Sequence, residues 1–414
     1  MQIIEVLNKK TESEFLEIPK ILYKNDPIWV CPLDDLIKAV FDPAKNLHLK
    51  NGESARWILK NKDGELIGRI SAFYSGIKTN AEKIKNGGTG HFECIDNQKA
   101  ANLLFDTAKN WLAEKGFQAM DGPVNFGEND SNWGLLVDGF SHPSFGMPYN
   151  HPYYKKLFEN YGFELYFKQF SYHLDLDKKF PERFWKIAEW ICRKPDFKFR
   201  HFKWKEADKF IHDLVYIYNL AWSNFKEDFS PLNPADVKST LIKAKPIIDE
   251  EIIWFAYHND EPIGFFIMLP DINQILKKMN GKIHIWNKIR FYYFKKNKTI
   301  TRIRAQVAGI IPKFQNSGVE SGIFWNLKQK MDHKTHYHEM ELSWVGDFNP
   351  KMIALYEAVG GVKAKTHHTY RYMIDKSIPF VRFMPEMINV PLAQKKARQI
   401  VQQGDQQINK PDKI

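Results

Sequence analysis

Ile303-Arg-Ala-Gln-Val-Ala-Gly-Ile-Ile311 passes through Pro312-Lys-Phe-Gln-Asn-Ser-Gly318 into Val319-Glu-Ser-Gly-Ile-Phe-Trp-Asn-Leu327. The first run is apolar and β-branched and reads as a core strand. The second, rich in turn residues, reads as a loop. The third places Ile323, Phe324 and Leu327 on one face and predicts a helix from Gly318 to Met331. A loop that opens onto a helix N-terminus presents unpaired N–H groups and the positive end of the helix dipole, a ready site for phosphate.

Working outward, the surroundings of this stretch occur twice. Arg56–Lys60, Asp63-Gly64 and Leu66–Phe73 predict a hairpin, because Asp-Gly between apolar runs is a strong turn signal. Ile252–Tyr257, Asn259-Asp260 and Ile263–Met268 repeat that plan. Pro152–Glu159, stopped at Gly162, matches Pro350–Glu357, stopped at Gly360, and each predicts a short helix with proline at its start and glycine past its end. Gly68 to Gly264 and Pro152 to Pro350 are offset by nearly the same distance, as a duplication requires. Asn97–Lys115 predicts the first copy's counterpart of the helix at 318–331.

Composition sets the frame. The chain has 414 residues, room for two ordinary domains, and 43% hydrophobic with 26% charged residues is a globular balance. No apolar run reaches the roughly 20 residues of a membrane-spanning helix. Met1–Lys10 lacks a signal-peptide pattern, and the 3 cysteines (Cys31, Cys94, Cys192) lack metal or disulfide spacing, so a cytoplasmic protein with reduced thiols is expected. A net charge of +11 suits nucleic acid, an anionic membrane or a small polyanion equally. His333, His336 and His338 have no supporting Cys or carboxylate pattern, so no metal is expected.

The stretch around Pro312, Gln315 and Gly318 resembles the acetyl-CoA signature of the GNAT N-acetyltransferases, an apolar-x-Pro leading into Gln/Arg-x-x-Gly-x-Gly/Ala. The resemblance implies an α/β (α+β) fold of two tandem GNAT-like units, each a mixed, mostly antiparallel sheet flanked by helices. It implies acetyl-CoA or another acyl-CoA as co-substrate, lying against Val307, Gly309, Ile310, Gln315, Asn316, Ser317, Gly318 and Val319. The pattern departs at Glu320, where a small residue is usual; an acidic side chain there is unfavourable unless it turns away into solvent. Glu339–Val345 predicts the next strand, and Leu355-Tyr356-Glu357 matches the family's Leu-Tyr-Glu, whose tyrosine protonates the departing thiolate. Tyr356 takes that role by resemblance, and a phenol of pKa about 10 suits it. Asn349 caps the helix or contacts the pantetheine arm. Glu341 either deprotonates the attacking amine or is an ordinary strand carboxylate.

The first copy keeps the fold signals and loses the chemistry. Phe158 stands where Tyr356 stands, and Glu93–Gln98 has no glycine. Its long polar loop offers Asn125, Glu128, Asn129 and Trp133 as substrate contacts, joined from the second copy by Trp344, although loop packing explains the first four equally. The expected division is a degenerate unit at 1–176, an acyl-CoA unit at 177–392 and a polar tail at 393–414. The leading expectation is an N-acyltransferase acting on a small-molecule or peptide amine, with no specific nucleic acid. Its rivals are a non-catalytic sensing module and a Fem-like transferase using aminoacyl-tRNA. Residues 274–300 alternate aromatics with Lys and Arg, and read as a peripheral membrane contact or a solvated helix with its connector.

Overall fold

The structure, a computed structural model, describes residues 1–75, 84–124, 126, 133–222 and 231–383. The first copy runs β1 (Gln2–Glu5), α1 (Lys9–Leu22), α2 (Asp34–Val40), β2 (Gly52–Lys60), β3 (Leu66–Ser75), β4 (Asn86–Cys94), α3 (Gln98–Glu114), β5 (Ala119–Gly122), β6 (Leu135–Asp138), α4 (Tyr154–Tyr161) and β7 (Glu164–Asp175). The second begins with α5 (Glu182–Cys192), β8 (Phe197–His201), α6 (Ala207–Trp222), α7 (Pro234–Ala244), β9 (Ile253–His258) and β10 (Glu261–Pro270). It continues through α8 (Asn273–Leu276), α9 (Ile285–Lys296), β11 (Arg302–Ile310), α10 (Val319–Met331), β12 (Glu339–Gly346), α11 (Pro350–Ala358) and β13 (Val362–Met373).

Local chemistry explains the turns and caps. Between β2 and β3, the Asn61 side chain accepts from the amides of Asp63 and Glu65, both at 2.9 Å, and Gly64 takes a φ of +82°. The β9–β10 turn uses Asn259 and Asp260 at positive φ, which their short polar side chains tolerate. Helix α4 starts two residues later than the sequence suggests. Pro152 lies in the turn before it, and Gly162, at φ +104°, closes it.

Among the described residues the strands form one thirteen-stranded sheet in the order β1-β2-β3-β4-β5-β13-β7-β12-β11-β10-β9-β8, with β6 also on β13. The final strands of the two copies have changed places. β7, which follows the first copy's α4, pairs antiparallel with β12, and β13, at the end of the second copy, pairs with β5. At the centre β7 and β13 pair with each other from Val362↔His173 to Arg371↔Glu164. Cores follow the exchange: Tyr172 and Leu174 sit in the second copy's core with Met340, Leu342 and Tyr356, while Tyr370 sits in the first copy's with Phe105 and Phe158.

Candidate functional site

The two copies treat the gap between their parallel strands differently. In the second, β11 and β12 pair only from Arg302↔Glu339 to Ala305↔Leu342, after which they diverge. Beyond Ala305, β11 stays paired to β10, as at Val307↔Ile267 and Gly309↔Phe265. Its other edge, from Gln306 to Ile310, faces the opening with strand N–H and C=O groups to offer. Trp344 lies in the bulge between Leu342 and Val345, on the far side of the same divergence.

The strand leads into the loop. Gln315 Nε2 donates to the Ile310 carbonyl at 3.2 Å, and Ser317 Oγ to the Phe314 carbonyl at 2.6 Å, so both side chains brace the loop. Asn316 and Gly318 take φ of +64° and +88°, which turn the chain into α10. Gly318 stands at the cap position without a side-chain cap, and Val319 is buried beneath it. The amides of Gly318, Val319 and Ser321 have no backbone acceptor among the described residues. The half-buried Glu320 carboxylate accepts from its own amide, and burial pushes its pKa up. Helix α5 lies alongside: Lys186, Ile187, Trp190 and Lys194 line a groove with Asn316, Ser317 and Gly318. Two cations thus border the loop, a contribution that the loop sequence does not announce.

The first copy closes the same place. The amide of Cys94 donates to Tyr154 Oη at 2.9 Å, that of Ile95 to the Ile67 carbonyl at 3.0 Å, and that of Ala100 to Asn97 Oδ1 at 3.0 Å. Between β4 and β5 the chain fills its own opening: a Cβ on Gly90 would stand 2.0 Å from the Val124 carbonyl. Phe158 is fully buried against Phe92 and Phe105. Among the described residues, the amides of Gln98 and Lys99 are the ones left without a backbone or side-chain acceptor at this helix start, and no glycine lies in the loop Glu93–Asn97 before them.

Tyr356 is buried at the divergence of β11 and β12. Its hydroxyl donates to the carbonyl of Ser343 at 2.7 Å, and burial raises its pKa, so the phenol is a proton donor at neutral pH. Ser343 Oγ bridges to the Ala305 carbonyl at 2.6 Å and accepts from Arg304 Nε at 2.5 Å. Asn349 caps α11, its side chain accepting from the Met352 amide at 3.2 Å.

Glu341 lies two residues before Ser343, roughly 7 Å along the strand. It is 3% exposed, and its Oε2 accepts from Ser144 Oγ at 2.7 Å and from Lys365 Nζ at 3.1 Å. Burial pushes its carboxyl up, but the charges of Lys365 and Arg302 outweigh that and hold it below the usual range. Among the described residues, its Oε1, Gln169 Nε2 and Ser171 Oγ have no hydrogen-bond partner. Lys365 pairs across the sheet with Ser171, and His367 with Gln169, so these groups form one polar strip on the exchanged strands. Burial lowers the His367 pKa to about 4, leaving a neutral imidazole.

The loop 142–145 of the first copy covers this strip. His142 Nδ1 faces Arg302 at 2.8 Å, and the Phe145 amide donates to Asp271 Oδ1 at 2.8 Å. Ser144, Lys365 and His367 are not among the site residues the sequence suggests, because none of them lies near a motif. Trp133 is elsewhere, packed with Phe73, Val124 and Phe126 in the first copy. Asn125, Glu128 and Asn129 lie outside the described residues.

This architecture is the GNAT fold in tandem. Two solved structures share it: a glucosamine N-acetyltransferase region of a fungal multi-domain β-N-acetylglucosaminidase, and a tandem GNAT protein from clavulanic acid biosynthesis. The first superposes with a TM-score of 0.55 at 12% identity, over 90% of this chain and 38% of its own. The second gives a TM-score of 0.52 at 10% identity, over 92% and 99%. In sequence, the chain is 28% identical to a bacterial ceramide synthase from Caulobacter vibrioides, over 89% of this chain and 97% of that one. It is 24% identical to Protein YghO of Escherichia coli, over 89% and 94%. No family model matches.

Proposed function

We propose that this protein is an acyl-CoA-dependent N-acyltransferase whose acceptor is a long-chain amine. One observation carries the first part: the second copy leaves open the strand edge and loop amides that the first copy fills with Tyr154, Asn97 and the backbone of Val124. The open amides of Gly318, Val319 and Ser321, with Lys186 and Lys194 beside them, suit the pyrophosphate of the thioester donor. The acceptor's length rests on the similarity to a ceramide synthase. Ceramide is the amide of a fatty acid with a long-chain amino alcohol.

In this reading the free amine attacks the thioester carbonyl, the C–N bond forms and the C–S bond breaks. Tyr356 gives its hydroxyl proton to the departing sulfur. Glu341, through its unpaired Oε1, takes one proton from the ammonium form of the acceptor, directly or through water, to free the attacking amine. The second N–H proton, lost as the C–N bond forms, returns to the Tyr356 oxygen through water. No group on the protein becomes acylated. The polar strip of Gln169, Ser171 and His367 offers partners to hydroxyls next to that nitrogen.

Calorimetric titration with acetyl-CoA and a long-chain acyl-CoA tests the donor site, beside Gly318→Arg. Binding that the substitution abolishes is expected, followed by thiol release with a long-chain amino alcohol and not with short amines. If neither thioester binds, the donor is not a CoA ester. If both bind but no amine releases thiol, the fold serves as a sensor.

A further inference from the structure

We infer that α9 is a membrane-surface anchor, docking the protein on bilayers that carry anionic lipid. The segment is an insertion peculiar to the second copy: residues 271–301 join β10 to β11, where 76–85 join β3 to β4. It is built to stay folded. Ile275, Leu276 and Met279 are buried in the second copy's core, and Phe291 and Phe294 pack against it. The buried Asn287 side chain donates to the carbonyls of Met279 and Lys282, at 3.2 Å and 2.7 Å.

Asn287, Phe291 and Phe294 recur at helical spacing and form the inward stripe. The opposite face carries Ile285, Ile289 and Tyr292, with Lys296 at its C-terminal end and Trp286 and Tyr293 along one flank. These are large apolar groups turned away from the protein: Trp286 is 69% exposed, Ile285 65% and Tyr293 64%. An apolar patch of this kind marks a contact rather than a solvated surface. Tyr and Trp are the side chains that settle at the headgroup level of a bilayer.

Charge selects the occupant. Residues 272–301 contain eight Lys or Arg and no Asp or Glu. Lys288 and Lys295 border one side of the apolar face and Arg290 the other, the pattern of a helix lying in an anionic interface. A second copy of this chain is a poor occupant, since a two-fold contact would press two acid-free basic segments together. The anchor does not depend on the acyl-transfer reading, although it would bring the protein to a lipid-dissolved amine.

Vesicle co-sedimentation without acyl-CoA or acceptor tests the anchor by itself. Wild-type protein is expected to bind phosphatidylglycerol-containing vesicles, bind pure phosphatidylcholine weakly, and lose binding as salt rises. Ile285→Ser/Trp286→Ser/Ile289→Ser should weaken binding at least about tenfold, and Lys288→Glu/Arg290→Glu comparably, with thermal unfolding unchanged. Wild-type protein that ignores both vesicle types overturns the proposal. So does binding that the charge-reversed variant retains, or a triple variant whose only change is the loss of a dimer in sedimentation.

Discussion

The Tyr356 hydroxyl donates to the Ser343 carbonyl, 2.7 Å away, at the point where β12 parts from β11. The phenol is therefore fixed where an incoming strand-like ligand would meet the end of the paired region. Burial raises its pKa, so it stays protonated through the neutral range and donates, whichever oxygen or sulfur it faces.

Tyr356→Phe should lower kcat by about a hundredfold while leaving the KM for acyl-CoA nearly unchanged. Loss of the hydrogen bond alone would destabilise the fold by about 1 kcal/mol. Steady-state kinetics beside thermal unfolding separates the two effects. A variant with full turnover would remove Tyr356 from the chemistry.

Lys365 and Glu341 form a buried pair between the exchanged strand and β12, with side chains 3% and 4% exposed. Lys365→Met would leave the carboxylate without its ion-pair partner and should cost roughly 3–5 kcal/mol. Adding Glu341→Gln should restore most of that stability without restoring turnover. Denaturant unfolding of the two single variants and the double variant measures the coupling.

Glu320→Gln removes a negative charge from the helix start and should tighten acyl-CoA binding about two- to fivefold. Its stability effect has a definite sign. Burial raises the carboxyl's pKa in the folded state, so the native protein favours the protonated form, and stability is lost as pH rises through that value. The variant should gain on wild type at neutral pH, and the gain should vanish below the ordinary carboxylate range. Melting curves across pH check this.

Gly90→Val should destabilise the first copy by about 1–3 kcal/mol or more, because the Val124 carbonyl occupies the space a side chain needs. Acyl-CoA affinity of the folded protein should not change. A large loss of affinity would mean that the first copy also takes part in donor binding.

Much of this was legible in the sequence, for a local reason. Asp63-Gly64, Asn259-Asp260, Gly162 and Gly318 each mark a backbone conformation that few residues adopt, and so punctuate the elements around them. The duplication followed from the near-constant offset of Gly68 to Gly264 and of Pro152 to Pro350. The strand exchange left no mark, because β7 and β13 carry the same alternation whichever neighbour they pair with. The polar strip was hidden with it: Glu341 was visible on its strand, but Lys365 reaches it from the exchanged strand, and Ser144 from a distant loop. The exposure of Trp286 depends on which stripe of α9 the core takes, and Asn287, a polar residue, is part of that stripe.

In a single-copy relative, trading final strands would require two molecules to meet, and the trade would fail on dilution. Here the partner strand is tethered to the same polypeptide, at an effective concentration that dilution cannot lower. Because the polar strip spans both traded strands, the catalytic geometry we propose would inherit that independence: the chain would work as well when scarce as when abundant.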